Sequence, residues 1–453
     1  MCCFAGLKLD TALHRRLLRL AVRLGASDAA LTTGETYRKM IRFANNKISV
    51  SKAGAVQTAE IYVNIKGRRA VRSTSEISLK SLEDMVRKAV ETAKAGEPAD
   101  VYAPLPSGPF KYSKELLKGP AEDLGDEELV GFVEAAVNGG LEGGGKRVAG
   151  SLIYTRSKIR LSTTGGVETA AQSGGIEISV RALAADDATG HFVSVAAGSR
   201  DFKPYEAGLR AGEIAKMALN PVEGEPGTYE CLLGPMTFAH LVEQLGVWSS
   251  AFYVDAEMSF LTGLLGQEAA SREFTLYDDP TLAGTYGAAP FDAEGVPTRR
   301  NTVFENGVLK TYLHNTATAK KFNTSTTANA GIIVPHPFNL VVKTGSKTLD
   351  KLIAGIDRGI WVTNDWYLRY QNYRTGEFST IPRDGLFLIR NGGVEKPLKG
   401  LRLSDNILNI FEGLRELGGE AHWIKWWEVE VPTHAPAAVT EKVTFTKSSN
   451  HYT

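Results

Sequence analysis

Two Asn-Gly dipeptides, each set between runs of β-branched and aromatic residues, do most to limit what this chain can fold into. Glu305-Asn306-Gly307-Val308 and Arg390-Asn391-Gly392-Gly393 carry the residue types that accept the left-handed backbone of a tight hairpin turn. The runs on either side must then pair as antiparallel neighbours. Further strand-like runs surround them at residues 229–233, 299–305, 308–314, 339–343, 360–363, 366–374, 385–390 and 423–431. Helical periodicity is confined to residues 235–250, 349–356 and 404–417, the last with Ser404 as N-cap and Gly418-Gly419 behind it.

The N-terminal half mixes the two periods more evenly. Leu13, Leu17, Leu20, Ala21 and Leu24 line one face of a helix over residues 10–24. His14, Arg15, Arg16, Arg19 and Arg23 read as its solvated face. Strands are expected at 37–43, 47–51, 57–65 and 68–73, with turns at Asn45-Asn46, Lys52-Ala53-Gly54 and Lys66-Gly67. A near capping box at Ser81–Asp84 opens a helix that turns Leu82, Met85, Val86, Ala89, Val90 and Ala93 inward. Residues 104–125, rich in Pro, Gly and Lys, read as a linker. A helix follows at 126–137, then strands between 147 and 184 with turns at Thr164-Gly165-Gly166 and Ser173-Gly174-Gly175, then a helix at 205–218. No repeat of fixed period is visible. The stretch Glu223-Gly224-Glu225-Pro226-Gly227 marks the main boundary. The expected class is α+β: a mixed α/β region in two parts, 1–103 and 104–225, followed by a large, mostly antiparallel β-rich domain over 226–453 with few helices.

Bulk properties narrow the function classes. A formal charge of +1 over 453 residues favours neither nucleic acid nor an anionic membrane. No apolar run is long enough to span a bilayer, and the first residues lack a secretory signal. Three cysteines, of which Cys2 and Cys3 are adjacent and Cys231 stands alone, make no disulfide framework. A reducing cytoplasm is the expected compartment, with Cys2-Cys3 in a frayed terminus. The chain has no phosphate loop, dinucleotide fingerprint, G-x-S-x-G, C-x-x-C or H-E-x-x-H.

Four features can carry chemistry. His240 and Glu243 lie three apart on a helix and share a face, and with His314 and His336 they could form a His/carboxylate metal set; unrelated histidines are the plainer reading. The run Trp366–Arg374 alternates aromatics with cations, so Tyr367, Arg369, Tyr373 and Arg374 are candidates for holding a peptide, or else the two faces of a sandwich strand. The cluster Trp423-Ile424-Lys425-Trp426-Trp427-Glu428 is core or subunit interface. Arg299 and Arg300 close a turn-rich loop, as a phosphate site or, more simply, as surface ion pairs.

That last loop also carries a resemblance. Pro290-Phe291-Asp292-Ala293-Glu294-Gly295-Val296, followed by Glu305-Asn306-Gly307-Val308-Leu309 and Tyr312-Leu313, resembles a run found in the TldD/PmbA family, whose PmbA-like members are also named modulators of DNA gyrase. Thr375-Gly376-Glu377-Phe378-Ser379 with Asn391-Gly392, and Ser404-Asp405-Asn406, are similar to later family motifs in the same order. The resemblance implies a dimer enclosing a cleft for unstructured peptides. It also implies, in catalytic TldD-type subunits, a helical H-E-x-x-x-H and a C-terminal cysteine that bind metal, the Glu acting as base toward a metal-activated water. Here Leu241 and Leu245 occupy the motif positions counted from His240, and no cysteine follows Cys231. The expectation is therefore the metal-free partner type, PmbA or TldE, with no cofactor, pairing with itself or with a TldD-type subunit. The alternatives are an active enzyme with a rebuilt zinc site and a regulatory binding module.

Overall fold

A computed structural model describes residues 7–120 and 122–448; Cys2 and Cys3 lie outside them. Helix α1 (Thr11–Arg23) starts where the Asp10 carboxylate accepts the Leu13 amide at 2.9 Å. Strands β1 (Asp28–Ala44), β2 (Lys47–Ile65) and β3 (Arg68–Thr74) follow, then α2 (Leu79–Ala95), capped by Ser78. A short helix, α3 (Lys114–Lys118), leads into α4 (Asp126–Glu142), β4 (Arg147–Thr163), β5 (Glu168–Ala185), β6 (Ala188–Ala196) and α5 (Pro204–Met217).

The six strands form one sheet in the order β3-β2-β1-β4-β5-β6, so both N-terminal parts share it. The order of elements is a repeat: helix, three strands, helix, twice. Residue 28 corresponds to 147 and residue 44 to 163, the bounds of β1 and β4. Their antiparallel pairing maps onto itself when the halves exchange. Leu31 opposes Ser162 and Phe43 opposes Gly150, and each pair becomes the other. The sequence shows no period because equivalent side chains differ: Ile41 stands where the second unit has Arg160, and Phe43 where it has Ser162.

All four long helices cover the same sheet face. Leu17, Ala21, Val86 and Val90 pack on Ala29, Leu31, Ile61 and Val63, while Leu129 and Val133 reach Ile41, Val148 and Leu152. His14 belongs to this interior rather than to a solvated face. Its ring meets Ser162 Oγ at 3.0 Å and Thr33 Oγ1 at 2.8 Å, and burial lowers its pKa to about 4. Arg15, Arg16, Arg19 and Arg23 are exposed.

Two expected turns prove to be strand interior. Lys52-Ala53-Gly54 opposes Met40, Lys39 and Arg38, and Ser173-Gly174-Gly175 opposes Ser157, Arg156 and Thr155. In β5 the glycines mark close approach, not reversal. A Cβ on Gly174 would lie 2.6 Å from the Thr155 carbonyl, and one on Gly175 would meet the Tyr286 ring.

Beyond β7 (Val222–Glu223), strand β8 (Gly227–Leu233) sits inside a mixed sheet of 14 strands. It runs parallel to Arg358–Val362 and antiparallel to the long terminal strand Val429–Lys447, which also pairs with Leu340–Val342, Leu401–Asn406 and Leu414–Trp426. The Asn306-Gly307 and Asn391-Gly392 turns close hairpins as expected. Residues 404–417 do not form a single helix. Ser404 Oγ reaches Thr446 Oγ1 and the Asp405 carboxylate accepts the Thr444 amide, so strand pairing wins there, and a helix of one and a half turns, Ile407–Glu412, starts at Asn406 instead. The strand expected at 308–314 shrinks to Val308–Leu309, and that at 423–431 is broken by a turn at Trp427-Glu428.

Helix α6 (Pro235–Trp248) follows β8 and is buried nearly all round, packed against the terminal strand. Among the described residues no helix is long and apolar enough to cross a membrane.

Candidate functional site

Charged side chains are rare on a buried helix, which makes His240 and Glu243 of α6 the natural starting point. His240 is 2% exposed, and its Nδ1 lies 2.8 Å from Asp365 Oδ2. Its Nε2 lies 4.0 Å from Glu428 Oε2. Asp365 begins the strand Asp365–Asn372 and is fully buried; its Oδ2 also accepts from Thr380 Oγ1 at 2.7 Å. Asp365 Oδ1 has no hydrogen-bond partner among the described residues. Glu428, in the turn before the terminal strand, accepts the backbone amide of Tyr367 at 3.0 Å, and Tyr367 adopts a left-handed φ of 60°.

The electrostatics follow from that enclosure. Burial opposes charging His240, but Asp365 most of all, then Glu243 and Glu428, outweigh it and raise the imidazole pKa. Burial raises the Glu243 carboxyl to about 7, against a 2.6 Å hydrogen bond from the Val431 amide and the attraction of His240. The cluster is thus an imidazole held by carboxylates and suited to carrying a proton.

Metal binding needs a neutral imidazole with a free nitrogen and several further ligands. His240 has Nδ1 bonded to Asp365 and keeps Nε2 free among the described residues, but Leu241 and Leu245 are its apolar neighbours on the helix where further ligands would stand. His314 bonds Thr318 Oγ1 at 3.2 Å beside Phe322, and burial lowers its pKa to about 4. His336 lies against Phe338, its pKa lowered by burial. Cys231 is buried in β8, where desolvation raises its thiol pKa. Among the described residues no group of three or more His, Cys, Asp or Glu side chains is arranged to hold a metal ion. The side chains present do not fit the metal centre that the resemblance attaches to catalytic subunits.

The aromatic-cation run forms the rim above this cluster. The Arg369 guanidinium lies 5.8 Å from the Tyr367 ring, and Tyr373, half exposed, packs at 5.1 Å on Trp248. The Arg374 amide bonds Asn372 Oδ1 at 3.0 Å in the hairpin turn, leaving its side chain exposed. The tryptophan cluster divides by role. Trp426 is buried, 4.6 Å from His191 and 4.9 Å from Trp366, whereas Trp427 is 58% exposed at the hairpin tip. Trp366 Nε1 donates to Asp384 at 2.7 Å, Asp384 pairs with Arg181 of β5 at 2.6 Å, and Asn364 bonds His191 of β6 at 2.7 Å. These contacts lock the N-terminal sheet to the rim. Arg300, half exposed, stacks 3.6 Å over Tyr277 with the buried Asp279 carboxylate 3.9 Å away.

Residue identity alone gave no reason to join Asp365 and Glu428 to His240, since they stand far along the chain. The available signal was a pair of acids flanking aromatic runs, Asn364-Asp365-Trp366 and Trp427-Glu428.

Known proteins share stretches of this sequence and its fold. Residues 226–447 match the model of the PmbA/TldA metallopeptidase C-terminal domain, and residues 34–93 match domain 1 of the same family. A metalloprotease of Methanothermobacter thermautotrophicus is 30% identical over 223 residues, 48% of each chain. A TldD homologue of Buchnera aphidicola is 26% identical over 219 residues, 46% of this chain and 44% of that one. The matched regions thus span about half the length of these curated relatives. Among solved structures, a candidate modulator of a DNA gyrase from Thermotoga maritima has TM-score 0.84 at 24% identity, covering 96% of this chain and 99% of that one. TldE from Thermococcus kodakarensis has TM-score 0.82 at 19% identity, over 96% and 100%. At these identities the two structures speak for the fold alone.

Proposed function

The chain belongs to the PmbA/TldD family, and on that premise we propose that it is the peptide-handling, non-hydrolytic subunit of a two-chain protease. The observation that carries this is that, among the described residues, no three His, Cys, Asp or Glu side chains are arranged to hold a metal ion. On α6 the His240 ring is tied to Asp365 through Nδ1, and its Nε2 faces Glu428 at 4.0 Å. The rest of the expected ligand set is missing in kind: leucines flank His240 and no thiol follows Cys231. The fold is shared with TldE from Thermococcus kodakarensis. In this reading the rim of Tyr367, Arg369, Tyr373, Arg374 and Trp427 contacts an unfolded peptide. Arginine and aromatic side chains bind such chains with little dependence on sequence.

The test is hydrolysis of an unstructured peptide by a metal-bearing TldD-type subunit, alone and with this chain added. The expected result is higher activity for the pair. Equal activity, with complex formation verified by size-exclusion chromatography, would remove the proposal.

A further inference from the structure

The repeat within the N-terminal sheet has one asymmetry that neither the buried cluster nor the rim absorbs. Strand β2 pairs with β1 along nearly its whole length, but with β3 only over Ala59–Ile65. Among the described residues no strand pairs with the outer edge of 47–58. Its counterpart in β5 is covered. There Leu117 packs on Ala171 together with Leu105 and Tyr112, and a Cβ on Gly119 would strike the Gln172 carbonyl. Where β5 is blunted by its own chain, β2 presents free backbone donors and acceptors, the ready template for an added strand.

The side chains beside that edge state what it fits. Val50 and Val56 project on one face, 45% and 53% exposed, on the side of the sheet away from the helices. Lys52 shares that face with Arg38 and Arg42 of β1, and Lys47 stands beside them on the edge. Residues 36–59 contain no acidic side chain. A second copy of this edge would set like charges opposite one another, which disfavours pairing.

We infer that the open edge of β2 receives an extended, acidic segment of an unfolded peptide as an added antiparallel or parallel strand. Backbone hydrogen bonds hold it, valine-sized side chains meet Val50 and Val56, and carboxylates meet Lys47, Lys52 and Arg42. This rests on the peptide-handling reading and names its substrate class.

The test uses the full chain and a soluble synthetic peptide in which glutamate alternates with valine or serine. Two control peptides replace glutamate by lysine or methylate alternate backbone nitrogens. Binding is followed by hydrogen exchange of the backbone amides and by titration. The expected result is slowed exchange at residues 47–58 with the acidic peptide alone, and about tenfold weaker binding by Lys47→Glu/Lys52→Glu. Protection at residues 365–383 instead would overturn the β2 site and leave the peptide-handling reading standing. So would protection of 47–58 that needs no peptide and grows with protein concentration, which would assign the edge to a second copy. Binding indifferent to charge or to N-methylation would also overturn it. Failure to bind any of the three peptides would count against both readings, and the hydrolysis test with a TldD-type subunit then separates them.

Discussion

The cluster around His240 and the outer edge of β2 treat polar groups in opposite ways. At His240 an imidazole and three carboxyl groups are drawn largely out of water, and each is held by a hydrogen bond to a side chain or a backbone amide. Along β2 the backbone itself is left without a partner strand and the apolar side chains face solvent. Burial makes the first region rigid and sensitive to single changes, because an unpaired charge in a dry interior is costly. Exposure makes the second tolerant of substitution and available to another chain. A charge-rich interior site is therefore not, by itself, the part of this molecule open to a ligand.

The contrast breaks first at Asp365. Asp365→Ala leaves His240 and Thr380 without their shared carboxylate and should cost about 3–5 kcal/mol in denaturant unfolding. A loss near zero would mean that the cluster is wet or loosely held.

Glu243 gives the next largest effect, and it depends on pH. A carboxyl whose pKa rises from 4.5 to about 7 on folding holds its proton more tightly in the folded chain. Its contribution is complete below about pH 4.5 and is lost as pH rises to 7. Glu243→Gln cannot ionise, so the stability of the natural chain should fall relative to the variant across that window, by on the order of 3 kcal/mol. A pH-independent difference between the two would show that Glu243 titrates normally.

The smallest effect sharpens the comparison within the repeat. Gly175→Ala must displace the Tyr286 ring and should destabilise by about 1–3 kcal/mol. Gly54→Ala has nothing within 4 Å of the new Cβ and should change stability by less than about 0.5 kcal/mol. Equal losses at the two glycines would mean that the β2 edge is covered after all.

How much of this was legible in the sequence follows the range of the interactions. The Asn-Gly hairpins and the apolar stripes of α1, α2 and α4 are local, and their signals survive in the residue order. Lys52-Ala53-Gly54 and Ser173-Gly174-Gly175 misled because a glycine that admits a neighbour looks the same in sequence as one that turns the chain. Ser404 misled because its capping ability is overridden by pairing with the terminal strand. His240 and Glu243 were visible as a helical pair, while Asp365 and Glu428 are brought to His240 by strand topology that no spacing encodes. The internal duplication was hidden for a related reason: the two halves keep backbone register and exchange side chains.

The most direct test of the account is the metal content of the full chain, measured by elemental analysis after purification without chelators or a metal-binding tag. The lack of a ligand group around His240 among the described residues predicts far less than one transition-metal ion per chain, with His240→Ala making no difference to the value. A stoichiometric metal that is lost on His240→Ala would contradict it and make this chain a metalloenzyme in its own right.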